Sequence, residues 1–199
     1  MGRRWWWNNP IICLAISCGE IQLHKYQGSL DGLCGPYAIV NVFHLLEYDD
    51  EVLEEVFKAA CQSPARSRWP ELLWYGTGFG DIKRMIRSVM NLPCIDTSKF
   101  SVAYPFSKNI SDSTKNYWER FYSLTDNESF QCGIVRLLSP SDHWIVFERD
   151  GRRIKFYDTD PKQPLIRKNI RSIDAAGRRR QPANWLVKQE ETILFQSHS

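Results

Sequence analysis

The 199-residue sequence lacks several patterns that would place it in a specialised class of protein. It contains no uninterrupted apolar run of about 18 residues, so we expect no membrane-spanning helix and no membrane partner. It contains no internal repeat and no long low-complexity linker. Neither sign of charge is in large excess, since 26 Lys and Arg face 23 Asp and Glu for a net charge of +3. Such a mild balance does not imply a nucleic-acid partner.

Cysteine is also too scarce to define the fold. Six cysteines in a chain of this length are too few for the disulfide scaffold of a small secreted domain. None of them forms a close CxxC pair, so neither a zinc site nor any other metal or cofactor site is expected. The remaining composition, 43% hydrophobic and 25% charged, is that of an ordinary globular protein. We therefore expect a single domain over residues 1–199.

Within the first twenty residues, two arginines and three tryptophans at positions 3–7 precede a short apolar run. A charged start before apolar residues is typical of a signal peptide, but this run is short and Pro10 interrupts the approach to it. We predict an exposed aromatic lead followed by a first strand over Ile11–Ser17. We therefore expect a cytoplasmic location, or export as an effector without a cleaved signal peptide.

Two kinds of periodicity divide the rest of the chain. Residues 24–125 show mainly helical spacing of apolar residues, and residues 129–199 show mainly short β-branched and aromatic runs. This order favours an α+β domain in which a helical part packs on an antiparallel sheet. The predicted helices are Cys34–Leu46, Glu51–Cys61, one after Gly80 with Asp81 as its cap, and Ser113–Leu124. The predicted strands are Cys132–Leu138, His143–Glu148, Arg153–Tyr157 and Thr192–Phe195.

Two connecting segments have no clear helical or strand pattern. Residues 74–79 read Trp-Tyr-Gly-Thr-Gly-Phe, and we interpret them as a connecting turn that could border a cleft. Residues 96–114 are polar and predict a surface insertion. The basic run Arg178–Arg180 most often marks a solvated loop.

One cysteine has a distinctive setting. Cys34 lies between glycines, directly before an apolar helix whose Pro36 suits the first helical turn. A helix N-terminus carries partial positive charge, which favours a thiolate and predicts a lowered thiol pKa. Gln27, seven residues earlier, could direct its amide N–H at an oxyanion forming beside the sulfur. These features make Cys34 a candidate nucleophile.

A thiolate nucleophile needs a base, and His143 is the best placed of the four histidines. It begins a strand that leads into Asp150-Gly151, a strong hairpin signal. If those two residues form the turn, counting back along both strands places His143 directly opposite Asp158. Facing side chains in an antiparallel pair lie about 5 Å apart at Cβ. We therefore predict that Asp158, rather than Asp160, orients the imidazole, although a bulge would change this.

Taken together, these residues resemble the papain-like superfamily of cysteine peptidases. The resemblance rests on the order Gln, Cys, His, Asp, on Cys34-Gly35 opening an apolar helix, and on a His-aromatic strand followed by Phe-Tyr-Asp. Residues 31–36, Asp-Gly-Leu-Cys-Gly-Pro, are similar to compact bacterial enzymes that cut leader peptides and to papain-like effectors or toxins. The resemblance implies a papain-like fold led by the nucleophile helix. It also implies an oxyanion-hole role for Gln27 beside the Cys34–His143–Asp158 triad.

The resemblance implies a thiol protease that cleaves a peptide or isopeptide bond through an acyl-enzyme intermediate. Its partner would be a protein or peptide substrate, possibly with a ubiquitin-like tail. An acyltransferase or amidase using the same triad is an alternative, because only the acyl acceptor or the amide substrate differs. A second alternative is a non-catalytic binding module in which the triad residues are coincidental.

Overall fold

In the computed structural model, residues 32–107, 114–151, 153–159, 165–169, 173–175 and 185–198 are described. The predicted first strand Ile11–Ser17, the candidate oxyanion donor Gln27, the alternative carboxylate Asp160 and the basic run Arg178–Arg180 lie outside these residues.

The described residues form five α-helices and seven strands, so the predicted α+β class is confirmed. In chain order they are α1 (Cys34–Leu45), α2 (Asp50–Gln62), α3 (Trp69–Tyr75), α4 (Phe79–Met90), β1 (Phe100–Ala103), α5 (Thr114–Thr125), β2 (Phe130–Ser139), β3 (His143–Asp150), β4 (Arg153–Tyr157), β5 (Leu165–Asn169), β6 (Ile173–Ala175) and β7 (Trp185–Ser197). A single turn of 3-10 helix, Arg66–Arg68, precedes α3.

All seven strands belong to one sheet with the order β1-β7-β2-β3-β4-β5. Neighbours along this path are antiparallel, as predicted. The short strand β6 departs from that expectation, because it pairs in parallel with the first residues of β7. The thirteen residues of β7 therefore contact three strands, with β2 along one edge and β6 and β1 along the other.

Each face of the sheet supports a separate hydrophobic cluster. Helices α1, α2 and α4 cover one face, where Phe43, Ile86 and Trp144 of β3 belong to one buried cluster. Helix α5 covers the other face, where Phe121 packs with Phe147. The alternation of β3 explains this arrangement, since successive side chains of a strand point to opposite faces. Trp144 is only 1% exposed, which confirms its predicted place in the core.

The helix predictions were correct in type and differ at some ends. Asp49 caps α2, its side chain accepting a hydrogen bond from the Val52 N–H at 2.9 Å. We had expected Asp81 to be the N-cap of α4, but the N-cap is Gly78. That helix begins at Phe79, and the Asp81 carboxylate instead accepts from the Gly78 N–H at 3.3 Å. The helix thus begins three residues further upstream than a cap at Asp81 would place it.

Two predicted loops contain regular structure. Residues 74 and 75, read as part of a connecting turn, form the end of α3. Its apolar residues Trp74 and Tyr75 are exposed, which removes the buried stripe that usually reveals a helix. Residues 96–114, predicted as a surface insertion, contain strand β1, whose Phe100 is buried against Phe195 of β7. A segment late in the mainly helical part, after α4, therefore contributes one edge of the sheet.

Candidate active site

Cys34 lies where α1 meets strand β3. It is the first residue of α1 and is only 7% exposed. Its sulfur lies 3.9 Å from the Gly32 carbonyl oxygen, and the backbone N–H groups of Trp144 and Gly35 can donate to it. Since Trp144 directly follows His143, the structure brings the candidate nucleophile to the start of the strand that carries the candidate base.

The end of α3 and the segment between α3 and α4 fix the start of α1 against the sheet. The Gly32 N–H donates to the Leu73 carbonyl at 2.8 Å, and the Trp144 indole N–H donates to the Thr77 carbonyl at 2.6 Å. The Gly35 backbone lies so close to Thr77 that a Cβ at position 35 would be 2.6 Å from the threonine Oγ1. Glycine at position 35 therefore permits the close approach of this loop to the nucleophile helix.

His143 and Asp158 form a hydrogen-bonded pair. The His143 Nε2 lies 3.0 Å from the Asp158 Oδ2, and the side chains are 15% and 7% exposed. A carboxylate held against one ring nitrogen fixes the tautomer and favours the imidazolium when it forms. The predicted partners are thus in contact.

The register that led to this pair was nevertheless wrong. Asp150 pairs with Arg153 and Val146 pairs with Tyr157, so the strands are shifted by two residues from the predicted alignment. The reason is that Asp150 belongs to the ladder, and Gly151, with φ +57°, begins the turn. A shift of two residues preserves the face of the sheet. Asp158 therefore reaches His143 as a diagonal neighbour instead of a directly facing one.

The second ring nitrogen of His143 faces the turn between β2 and β3. Its Nδ1 lies 3.0 Å from both the hydroxyl and the backbone carbonyl oxygen of Ser141. The hydroxyl can donate to an unprotonated Nδ1, and the carbonyl can accept from a protonated one. Both protonation states of the imidazole therefore have a partner, as acid–base cycling requires.

The electrostatic setting of Cys34 differs from the sequence-based expectation. Burial raises the pKa of the Cys34 thiol, while the Trp144 and Gly35 N–H groups and the positive charge of Arg136 act in the opposite direction. The desolvation of a thiolate exceeds the benefit of these donors. A raised pKa disfavours the resting thiolate, so attack by this sulfur calls for a base that removes the thiol proton.

A group of charged side chains flanks the site and was not identified from the sequence. Arg136 of β2 donates to both carboxylate oxygens of Asp142, at 2.6 and 2.9 Å, and to Glu191 of β7 at 3.3 Å. Lys188 also forms a short hydrogen bond with Glu191. The bidentate pair joins β2 to the residue before His143. The sequence did offer one signal for this pair, because an arginine and an aspartate stand six residues apart across a predicted strand–turn–strand.

An irregularity in β7 brings Glu191 to this group. Val135 pairs with Thr192 whereas the next residue, Arg136, pairs with Lys188, so residues 189–191 are additional on β7. Such a bulge redirects side chains and often lies beside a functional site. Here it leaves the Glu191 side chain 6% exposed and in contact with Arg136.

Comparison of the chain with protein-family models, with curated proteins and with solved structures gave no match. Among the described residues, no helix has the length and apolar character needed to cross a membrane. Over the same parts of the chain, we find no cluster of three or more His, Cys, Asp or Glu side chains able to hold a metal ion.

Proposed function

We propose that this protein is a cysteine hydrolase of papain-like type that cleaves a peptide or isopeptide bond. The observation that carries the proposal is the combination of a buried thiol at a helix N-terminus with an adjacent histidine–carboxylate pair. Cys34 is the nucleophile, His143 the base and Asp158 the residue that orients the imidazole. The resemblance of the Gln, Cys, His, Asp order to papain-like peptidases supports the same assignment, with Gln27 as an oxyanion donor.

The reaction begins with proton transfer from the Cys34 thiol to His143. Asp158 holds Nε2, so Nδ1 is the nitrogen that takes the proton. The sulfur attacks the substrate carbonyl carbon, and the oxyanion accepts hydrogen bonds from Gln27 and from the Cys34 backbone N–H. As the carbon–nitrogen bond breaks, His143 returns the proton to the leaving amine. A thioester to Cys34 remains.

Water completes the cycle. His143 takes a proton from the water molecule that attacks the thioester carbonyl, and the Cys34 sulfur leaves with that proton. The products are a carboxylic acid and the original thiol. An acceptor amine in place of water would give acyl transfer instead, so the same residues serve the alternative of an acyltransferase.

Labelling with electrophilic substrate analogues tests the proposal directly. A panel of peptide and ubiquitin-like-tail probes with a thiol-reactive carbonyl group should modify the wild type at Cys34, as located by mass spectrometry. Cys34→Ala should abolish labelling and turnover while the circular dichroism spectrum is unchanged. Cys94→Ala is the matched control, because Cys94 is an exposed free cysteine outside the site. Labelling that persists in Cys34→Ala, or none in the wild type, would refute the assignment.

The substrate class and location remain predictions. The same panel separates an isopeptidase from a peptidase, since a ubiquitin-like tail and a leader-type peptide present different residues before the scissile bond. Added amines that trap the acyl group as a new amide would identify the acyltransferase. A cytoplasmic location, or export without a cleaved signal peptide, is the setting that we propose for the thiol enzyme.

A further inference from the structure

The turn that precedes His143 is tied to two strands by one arginine. Arg136 donates two hydrogen bonds to the Asp142 carboxylate, at 2.6 and 2.9 Å, and a third to Glu191 at 3.3 Å. The arginine side chain is 25% exposed and that of Glu191 is 6% exposed. Planar bidentate contacts of this kind fix geometry as well as charge, which a single ammonium contact does not.

The turn that precedes His143 contains the groups that contact the Nδ1 side of the imidazole. Ser141 contacts His143 Nδ1 through its hydroxyl and its carbonyl, both at 3.0 Å. Asp142 lies between these two residues in the chain. Its side chain is 52% exposed and extends outward, so packing alone does not determine where the turn lies. The turn is joined to β2 and β3 through the chain, and the contact to Arg136 additionally fixes its exposed Asp142 side chain to the sheet.

We propose that Arg136 is a positioning residue for the reaction. It holds the Ser141–Asp142 turn so that His143 Nδ1 keeps its Ser141 partners and the imidazole keeps its orientation. The β7 bulge serves the same purpose, because it supplies Glu191, which together with Asp142 fixes the orientation of the guanidinium. This inference rests on the function proposed above and adds a residue that acts through Asp142 and not on the substrate.

If Arg136 acted only through its charge, the same variants would give different reaction rates. Arg136 also acts on Cys34 through its charge, favouring the thiolate, whereas the Asp142 charge disfavours it. If only the charge mattered, Arg136→Lys would retain activity and Asp142→Asn would raise it. If the bidentate tether matters, both variants slow the reaction, because each removes one half of the fork geometry.

The experiment measures the rate of Cys34 labelling by the peptide probe in four proteins: wild type, Arg136→Lys, Asp142→Asn and the double variant. We expect each single variant to be slower by about tenfold, consistent with loss of orientation at a proton-transfer site. The double variant should be no slower than either single one, because the two residues act as a unit. Labelling of Cys34 at the wild-type rate in Arg136→Lys, or multiplicative losses of rate in the double variant, would refute the positioning role of Arg136.

A matched arginine controls for general effects on the sheet. Arg149 of β3 is also largely buried and pairs with Asp126 at 3.3 Å, at the far end of the strand. Arg149→Lys should label Cys34 at the wild-type rate. Thermal unfolding of all variants separates a loss of stability from a loss of positioning.

A spectroscopic measurement does not depend on turnover. The ring-nitrogen NMR signals of His143, assigned with His143→Gln, report which nitrogen carries the proton. They should move in Arg136→Lys and Asp142→Asn but not in Arg149→Lys. Unmoved signals in the first two variants would refute the positioning role even if Cys34 proved unreactive. A wild type that is not labelled but shows the expected shifts would refute only the proposed function.

Discussion

Glycine-to-alanine substitutions at two equivalent helix positions should change stability in opposite directions. Gly35 and Gly80 are each the second residue of a helix, in α1 and α4. A Cβ at position 80 would meet nothing within 4 Å. At position 35 it would lie 2.6 Å from the Oγ1 and 2.7 Å from the Cβ of Thr77, closer than real Cβ contacts allow. The same gain in helix propensity therefore accompanies an open site in one case and a steric clash in the other.

The expected magnitudes follow from these two terms. Replacing glycine by alanine in a helix is worth at most about 1 kcal/mol, so Gly80→Ala should raise the free energy of unfolding by up to about that amount. Overpacking a filled site costs about 1–3 kcal/mol, so Gly35→Ala should lower the free energy of unfolding by about 1–2 kcal/mol after the propensity gain. At a urea slope of about 2 kcal/mol per molar, its midpoint should fall by about 0.5–1 M.

Equilibrium urea unfolding followed by tryptophan fluorescence measures both variants. Thr77→Gly in the Gly35→Ala background removes the three clashing side-chain atoms, so the double variant should lose less stability than the two single losses combined. Labelling of Cys34 should slow in Gly35→Ala, because the added methyl displaces the first turn of α1, and should not change in Gly80→Ala. If Gly35→Ala were as stabilising as Gly80→Ala, the close approach of Thr77 to α1 would be refuted.

Three further outcomes are expected. Burial raises the pKa of the Cys34 and Cys132 thiols, so the unfolded chain releases these protons at lower pH than the folded one. The free energy of unfolding should therefore fall as the pH rises above about 8.5, and urea titrations at pH 7 and pH 10 should show a smaller fall for Cys132→Ala. Asp158→Asn should slow labelling of Cys34 by about 10- to 100-fold; an unchanged rate across pH 5–9 would remove Asp158 from the triad. Trp144→Phe leaves the Thr77 carbonyl without its indole donor and should lower the free energy of unfolding by about 1–3 kcal/mol, as measured by urea unfolding. An unchanged free energy of unfolding would argue against that hydrogen bond.

The elements that the sequence predicted well are those with a clear apolar period. The buried stripe of α1 includes Ile39 and Phe43, and the alternation of β3 separates Trp144 from its neighbours. These patterns record which face meets the core, so they specify helix and strand regardless of the rest of the chain. The contact between His143 and Asp158 could be predicted because the error in the predicted β3–β4 register was two residues, and a shift of two keeps both side chains on the same face of the sheet.

Other features depend on distant parts of the chain and left no local pattern. Strand β1 has only four residues and one buried member, Phe100, so its polar surroundings conceal it. The bulge of β7 becomes visible only against the register of β2. The raised pKa of the Cys34 thiol follows from the burial of the sulfur where α1 meets β3. A helix N-terminus read from the sequence indicates its dipole but not how much water the folded site excludes.

The position of β7 in the sheet has a consequence for how the molecule assembles. Its residues 185–197 lie between β2 on one side and β1 and β6 on the other, although β1 precedes it by more than eighty positions in the chain. Within the described strands, β1 and β6 have no partner except β7. Contacts between such distant segments must overcome a large loop-closure entropy, which slows folding. The helices can form early, but β1 and β6 stay without strand partners until β7 pairs with β2 and presents its other edge to them.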